Sequence, residues 1–217
     1  MEAEGRIQRN GMLAEIRPPR DGRILIFGDI HGDLQALKRG VALRKPEDVL
    51  VFLGDYADRG PKGVEVIEGI DMLVKKYPDR VVALKGNHEE YSSNGEPVFS
   101  PCTLVQEAER KRGGWRDFFE TTFRDFVSGL SIAAIVPGAA LLVHGGVGKG
   151  IDGIESLYEP GEELQRDILW SDPGMDMGTS FNMRGAGTVF GPDITEEVLR
   201  NVDAKLVVRS HEPRRAM

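Results

Sequence analysis

The chain has four histidines, and each stands just after a short aliphatic run, beside Asp, Asn or Gly. The runs lead into Gly28-Asp29-Ile30-His31-Gly32, Lys85-Gly86-Asn87-His88-Glu89, His144-Gly145-Gly146 and Arg209-Ser210-His211-Glu212. A fifth run leads into Gly54-Asp55-Tyr56-Ala57-Asp58-Arg59-Gly60. One Gly-Asp alone is ordinary turn chemistry, because Gly supplies positive φ and Asp bonds the backbone that follows. Turns have no particular use for imidazole, whereas a metal site does. Imidazole, carboxylate and amide oxygen without thiolate suit divalent ions such as Mn²⁺, Fe²⁺ or Zn²⁺ rather than a structural zinc cage. Asp29 and His31 are two residues apart, so on an extended segment both face one way and can share an ion. Asn87, His144 and His211 come from three separate loops and suit a second ion, which leaves Asp55 as the natural bridge. Two ions about 3.5–4 Å apart lower the pKa of a bridging water and hold a phosphoryl oxygen for in-line attack.

Five loops can converge only if the elements before them share a sheet edge. Short aliphatic runs alternate along the chain with longer stretches of helical period, which is α/β punctuation. The patterns predict strands over 23–27, 49–53, 80–84, 131–136, 139–143 and 205–209. Helices are expected over 33–43, 61–75, 103–112, 115–129, 162–169 and 195–202, with an irregular stretch before the last. Residues 6–16 predict a hairpin whose Asn10-Gly11 forms a type I′ turn. Within 115–129, Trp115, Phe118, Phe119, Thr122, Phe123, Phe126 and Val127 recur at three and four and make a packing face. Ligands in α/β sheets collect at the carboxyl ends of strands, so the five loops are expected on one side.

The 217 residues carry 28 Lys and Arg against 35 Asp and Glu, a formal net charge of −7. This fits one catalytic domain over 1–217, burying roughly 70% of the surface its unfolded chain exposes. The excess of negative charge argues against nucleic-acid binding, which draws on clustered Lys and Arg. The longest nearly apolar run, 130–143, is interrupted by Pro137 and Gly138 and is shorter than the ~20 residues of a membrane-crossing helix. No membrane partner is expected. The one cysteine, Cys102, cannot form an internal bridge, and the acidic N-terminus lacks the apolar stretch of a secretory signal, so a cytoplasmic location is expected. Thiol-based phosphate chemistry is excluded, because it needs an arginine six residues after the cysteine and Ala108 stands there.

These loops, with Trp170-Ser171-Asp172-Pro173 and Arg184-Gly185-Ala186-Gly187, occur in an order that closely resembles PPP-family serine/threonine protein phosphatases over residues 23–212. The resemblance implies a calcineurin-like metallophosphoesterase fold of the mixed α/β (α+β) type, a central β-sandwich flanked by helices with a dinuclear site at the strand ends. It implies Asp29, His31 and Asp55 on one ion, and Asp55, Asn87, His144 and His211 on the other. His88 would be the general acid, oriented by Asp58. Arg59 and Arg184 would grip the phosphate together with Asn87, and Asp172 would brace one of those arginines. The implied reaction is hydrolysis of phosphoserine or phosphothreonine in a protein or peptide by direct attack of a metal-bridging hydroxide, with Mn²⁺ the favoured ion in vitro. A diadenosine tetraphosphatase-like or other small-phosphoester hydrolase with the same site is the alternative, and a catalytically dead phosphopeptide-binding module is disfavoured by the intact ligand set. The sequences at 90–95 and 147–150 differ from the eukaryotic enzymes and suggest a prokaryotic, archaeal-like branch, in which a surface for regulatory subunits is not specified. Family members run on past the last ligand, so their C-terminal strands are expected to be missing from this chain.

Overall fold

The computed structural model describes residues 6–18 and 20–212. Strands β1 (Ile7–Asn10) and β2 (Leu13–Ile16) form the expected hairpin, with Asn10 opposite Leu13. The turn differs from expectation: its central pair is Gly11-Met12, and of these only Gly11 has positive φ, +56°. That is the pattern of a type II′ rather than a type I′ turn. A Cβ at Gly11 would run into the Tyr158 carbonyl, so glycine is required at this position.

Next come β3 (Ile24–Phe27), α1 (Leu34–Ala42), β4 (Val49–Phe52), α2 (Gly63–Lys76) and β5 (Val81–Ala83). The three strands form a parallel sheet in that order, joined by the two helices as crossovers. Asp33 caps α1, its carboxylate accepting the Ala36 N–H at 2.9 Å. Helix α3 (Leu104–Arg112) follows, then α4 (Trp115–Phe118) and α5 (Arg124–Ser128). The single helix expected over 115–129 is interrupted by a π-helical turn at Phe119–Phe123. Phe118, Phe119, Phe123 and Phe126 are all buried across this interruption.

Strands β6 (Ala133–Val136) and β7 (Ala140–Val143) extend the hairpin into a second sheet. After them come α6 (Glu162–Trp170), β8 (Asp172–Pro173), β9 (Thr179–Phe181), β10 (Thr188–Phe190), α7 (Pro192–Asn201) and β11 (Leu206–Val208). The second sheet runs β1-β2-β6-β7-β11. The stretch expected to be irregular instead holds a small sheet of order β8-β10-β9. Its strands are two or three residues long, and β9 is exposed throughout, so no apolar period marks them. Helix α7 begins three residues earlier than expected, at Pro192, whose missing N–H is harmless in a first turn.

Strand alternation accounts for the layers. Val49, Val51 and Leu53 face Ala14, Ile16, Ala134, Val136 and Leu142 across the two sheets. Leu50 and Phe52 point the other way, onto Val64, Ile67 and Ile70 of α2. On the far side, Leu13, Ile135, Leu141 and Val143 pack on Ile168 of α6 and on Ile194 and Val198 of α7. The result is a sandwich with helices on both outer faces. Strand β4 reads as an unbroken apolar run because both of its faces are buried. No helix among the described residues is long and apolar enough to cross a membrane.

Phe52 is fully buried and stacks on Phe27 at 4.7 Å between ring centroids. Phe52→Ala is expected to lower the unfolding free energy by about 3–5 kcal/mol, read from the urea midpoint. A loss below ~1 kcal/mol would show that β4 does not anchor the helical layer.

Candidate active site

The loops after β3, β4, β5, β7 and β11 meet at one edge of the sandwich, and they meet under strain. Six described non-glycine residues have positive φ, and five are His31, Asp55, Asp58, Arg59 and His211. Side chains disfavour this region, at a cost of order 1–3 kcal/mol each, so surrounding contacts must hold it. Those contacts are visible. The N–H groups of Ile30 and His31 donate to the Asp55 carbonyl at 3.0 and 2.9 Å, and the Gly32 N–H donates to the Tyr56 carbonyl at 2.8 Å. The two loops are thereby laced together.

Asp55 is buried between two groups of acceptors. His31 Nε2 lies 3.4 Å from one of its oxygens, and His144 Nε2 lies 3.4 Å from the other. Backbone carbonyls fix both imidazoles: His31 Nδ1 donates to Ala57 O and His144 Nδ1 to Leu53 O, each at 2.8 Å. A neutral ring whose Nδ1 donates presents a bare lone pair at Nε2. Burial pushes the His31 pKa down, which favours that neutral form. Burial, then the neighbouring His144 and Arg184, pushes His211 down to about 3. His144 Nε2 also faces Asn87 Oδ1 at 3.1 Å and His211 Nδ1 at 3.2 Å. Asp29 Oδ2 is 3.8 Å from His31 Nε2, and its Oδ1 accepts the His211 N–H at 3.1 Å.

Lone pairs crowded against a carboxylate repel one another until a cation stands among them. Asp29 Oδ2, His31 Nε2 and His211 Nε2 are buried without any hydrogen-bond partner, which is the mark of groups built for another ligand. Asp55, His144 and His211 bring one ligand atom each within 4.8 Å of one another, and so do His31, Asp55 and His88. The donor set of oxygen and imidazole fits a pair of divalent cations.

His88 is held differently from the other histidines. Its Nδ1 donates to Asp58 Oδ2 at 2.7 Å, and its backbone N–H donates to Asp55 Oδ1 at 3.0 Å. Burial alone would lower its pKa, but the bond to Asp58 and the charges of Asp55, Asp58 and Glu89 raise it. Asp58 is also buried, yet its bonds to His88 and to the N–H groups of Thr103 and Leu104 keep its pKa below the usual carboxylate range.

Residues 22–215 match the calcineurin-like phosphoesterase family. The chain belongs to that family. It is 33% identical over 201 residues to a serine/threonine-protein phosphatase of Caenorhabditis elegans, covering 88% of this chain and 43% of that protein. It is 36% identical over 215 residues to a protein phosphatase 2A from Dictyostelium discoideum, covering 92% of this chain and 64% of the relative. A solved serine/threonine phosphatase from Saccharomyces cerevisiae, described as similar to human phosphatase PP5, superposes with a TM-score of 0.71. It is 25% identical and the match covers 90% of this chain and 65% of that one. The chain thus spans between about two fifths and two thirds of the length of these relatives.

Calcineurin-like phosphoesterases carry a dinuclear divalent site, and the two acceptor groups around Asp55 are the candidate ligand groups for it in this chain. Asp172 braces Arg184 as expected, at 2.6 Å from Nε, and it also takes Arg209 at 2.8 Å. Arg209, to which the sequence pattern assigns no role, is therefore the second support of the same carboxylate. Arg59 is exposed at the rim.

Glu89 is a residue that sequence reasoning misses. It is fully buried beneath Asp55 and accepts the N–H groups of Asp55 at 2.8 Å, Tyr56 at 3.0 Å and Gly86 at 2.9 Å. Burial and the charge of Asp55 push its pKa up to about 8. Its signal is an acidic residue next to His88 with no surface role, but three backbone donors from two loops leave no pattern in the sequence.

Gly86 leaves no room for a side chain: a Cβ there would meet Asp55 Oδ1, the Asp55 nitrogen at 2.5 Å and Glu89 Oε2 at 2.8 Å. Gly86→Ala is therefore expected to displace Asp55 and strip divalent metal from protein that keeps its circular dichroism spectrum, as read by elemental analysis after desalting. Full metal retention would show that Asp55 does not need this close approach.

Proposed function

We propose that this chain hydrolyses phosphoserine and phosphothreonine in phosphorylated proteins or peptides, with two divalent ions, Mn²⁺ being the one expected to serve in vitro and Fe²⁺ or Zn²⁺ the alternatives. The observation that carries this reading is the buried His88–Asp58 pair, 2.7 Å apart and directly beside the Asp55 cluster. An alkoxide leaves poorly at neutral pH, so a phosphomonoester of serine or threonine needs a proton donor next to its bridging oxygen. The names of the relatives, serine/threonine phosphatases, support the same reading.

In this reading Asp29, His31 and Asp55 hold one ion, and Asp55, Asn87, His144 and His211 hold the other. When bound, such a pair supplies Lewis acidity and a water of lowered pKa. Asp58 accepts the Nδ1–H of His88 and so leaves the other ring nitrogen to carry the proton delivered to the serine or threonine oxygen. Thr103 and Leu104 N–H groups, at 2.5 and 2.8 Å, keep Asp58 ionised for that task. Arg184 has its Nε edge on Asp172 and Nη2 on the His211 carbonyl at 3.4 Å. Its outer edge, Nη1 and the second N–H of Nη2, stays available to a phosphate. Arg59 approaches from the opposite loop, and Asn87 completes the cradle.

The deciding measurement is kcat/KM with Mn²⁺ on a phosphoseryl or phosphothreonyl peptide, diadenosine tetraphosphate and a simple aryl phosphate, side by side. The peptide is expected to be the best substrate. Turnover of diadenosine tetraphosphate with none of the peptide would sink the proposal. His88→Asn is expected to retain metal and lower kcat on the peptide by about 10²–10⁴-fold. Near-normal turnover would remove His88 as the acid.

A further inference from the structure

Helices α2 and α3 cap one another. Their own N-cap residues, Lys62 and Thr103, make no side-chain cap bond. Asp58, in the loop ahead of α2, instead accepts the N–H groups of Thr103 and Leu104 at the start of α3. Glu107, in the first turn of α3, accepts the N–H groups of Gly63 and Val64 at the start of α2, at 3.0 and 3.1 Å. Both carboxylates are buried. One turn further along α3, Lys111 donates to Glu107 and Glu65 at 2.7 Å and to the Pro61 carbonyl at 2.8 Å. Segment 58–63 is thus pinned to one side of α3 at its beginning, its middle and its end.

Arg59 lies inside this segment with φ +62°, next to Asp58 at +65°. Two adjacent L residues in left-handed backbone do not stay there by preference. Asp58 holds the first end, and the Gly60 N–H donates both to the Asp58 carbonyl across Arg59 at 2.6 Å and to the His31 carbonyl at 2.9 Å. Beyond Gly60, the second end depends on Glu107 and Lys111. We infer that Glu107, supported by Lys111, is a positioning residue that aims Arg59 at the phosphate. This rests on the reading of Arg59 as a phosphate contact. Glu107 lies on α3 and Arg59 in the loop ahead of α2, and Glu107 acts through the backbone of segment 58–63, so a substitution there should be felt at Arg59.

The test is a double-mutant cycle between Glu107→Gln and Arg59→Ala, read by titrating the Mn²⁺-loaded protein with inorganic phosphate in a calorimeter. Glu107→Gln is expected to weaken phosphate about tenfold in the native background and not at all once Arg59 is alanine, a non-additivity that a purely structural cap does not produce. Glu109→Gln, an exposed change on the same helix, is expected to leave binding as it was. Equal weakening in both backgrounds, or none in either, would overturn the inference. If Glu107→Gln does not fold, Lys111→Met is carried through the same cycle, with the same coupling expected and additivity overturning the inference. Should Arg59→Ala alone leave phosphate affinity unchanged, the reading of Arg59 falls and this inference with it. A weakened Arg59→Ala with additive Glu107→Gln removes the inference only.

Discussion

A buried carboxylate that faces imidazole lone pairs on both sides is unstable by itself, and the rest of this site follows from keeping Asp55 in that position. Its carboxylate has His31 on one side, His144 on the other, and the His88 N–H between them. Its own N–H is tied to Glu89, a second buried carboxylate. Two acidic groups this close in a low-dielectric interior raise the cost of charging both, and the raised pKa of Glu89 expresses that. A divalent pair reverses the sign of the local field, so acceptors that repel in isolation become a ligand set.

Such crowding dictates the backbone. To bring Asp55, Gly86 and His144 into contact, Gly54 adopts φ +105°, and a Cβ on it would lie 2.5 Å from the Gly86 nitrogen and 3.0 Å from His144 Nδ1. The non-glycine residues beside it cannot avoid left-handed geometry and are held by bonds from other loops. Those bonds come from backbone groups and from the carboxylates of Asp29, Asp58, Glu89 and Glu107, so the strain is shared among several loops.

The candidate ligands were legible in the sequence because imidazole after a strand has no use in turn chemistry. The alternation of strand and helix was legible because β4 is an unbroken apolar run and α2 carries a helical period, while the sandwich and Asp172 as a brace were legible through the resemblance. What stayed hidden shares a physical cause. Glu89 bonds backbone groups over thirty residues away, and Glu107 and Asp58 cap helices more than forty residues distant. Capping from so far leaves no local spacing to read. The π-helical turn at Phe119–Phe123 hid behind a pattern that regular helix also satisfies, since the phenylalanines recur at three to five. The small sheet holding Asp172 hid for the opposite reason: strands of two or three residues, one of them fully exposed, have no apolar period to reveal.

In the proposed function the two arginines meet the phosphate with different freedom. Asp172 is shared between Arg184 and Arg209, and Arg209 is tied in turn to Glu212 at 2.6 Å and to the Gly145 carbonyl. A guanidinium fixed along its Nε edge still presents the Nη1/Nη2 edge, and little freedom remains for it to lose on binding. In the proposed reading Arg184 is thus a pre-set contact for the phosphate. Arg59, exposed on a strained loop, has the opposite character: its side chain is free to reach, while its backbone is fixed by α3. In the proposed function, a rigid contact on one wall and a reaching one on the other would let a bulky phosphorylated segment enter and still present its phosphorus to the same point beside Asp55. That combination explains why the backbone under Arg59 is anchored so heavily while its side chain is not.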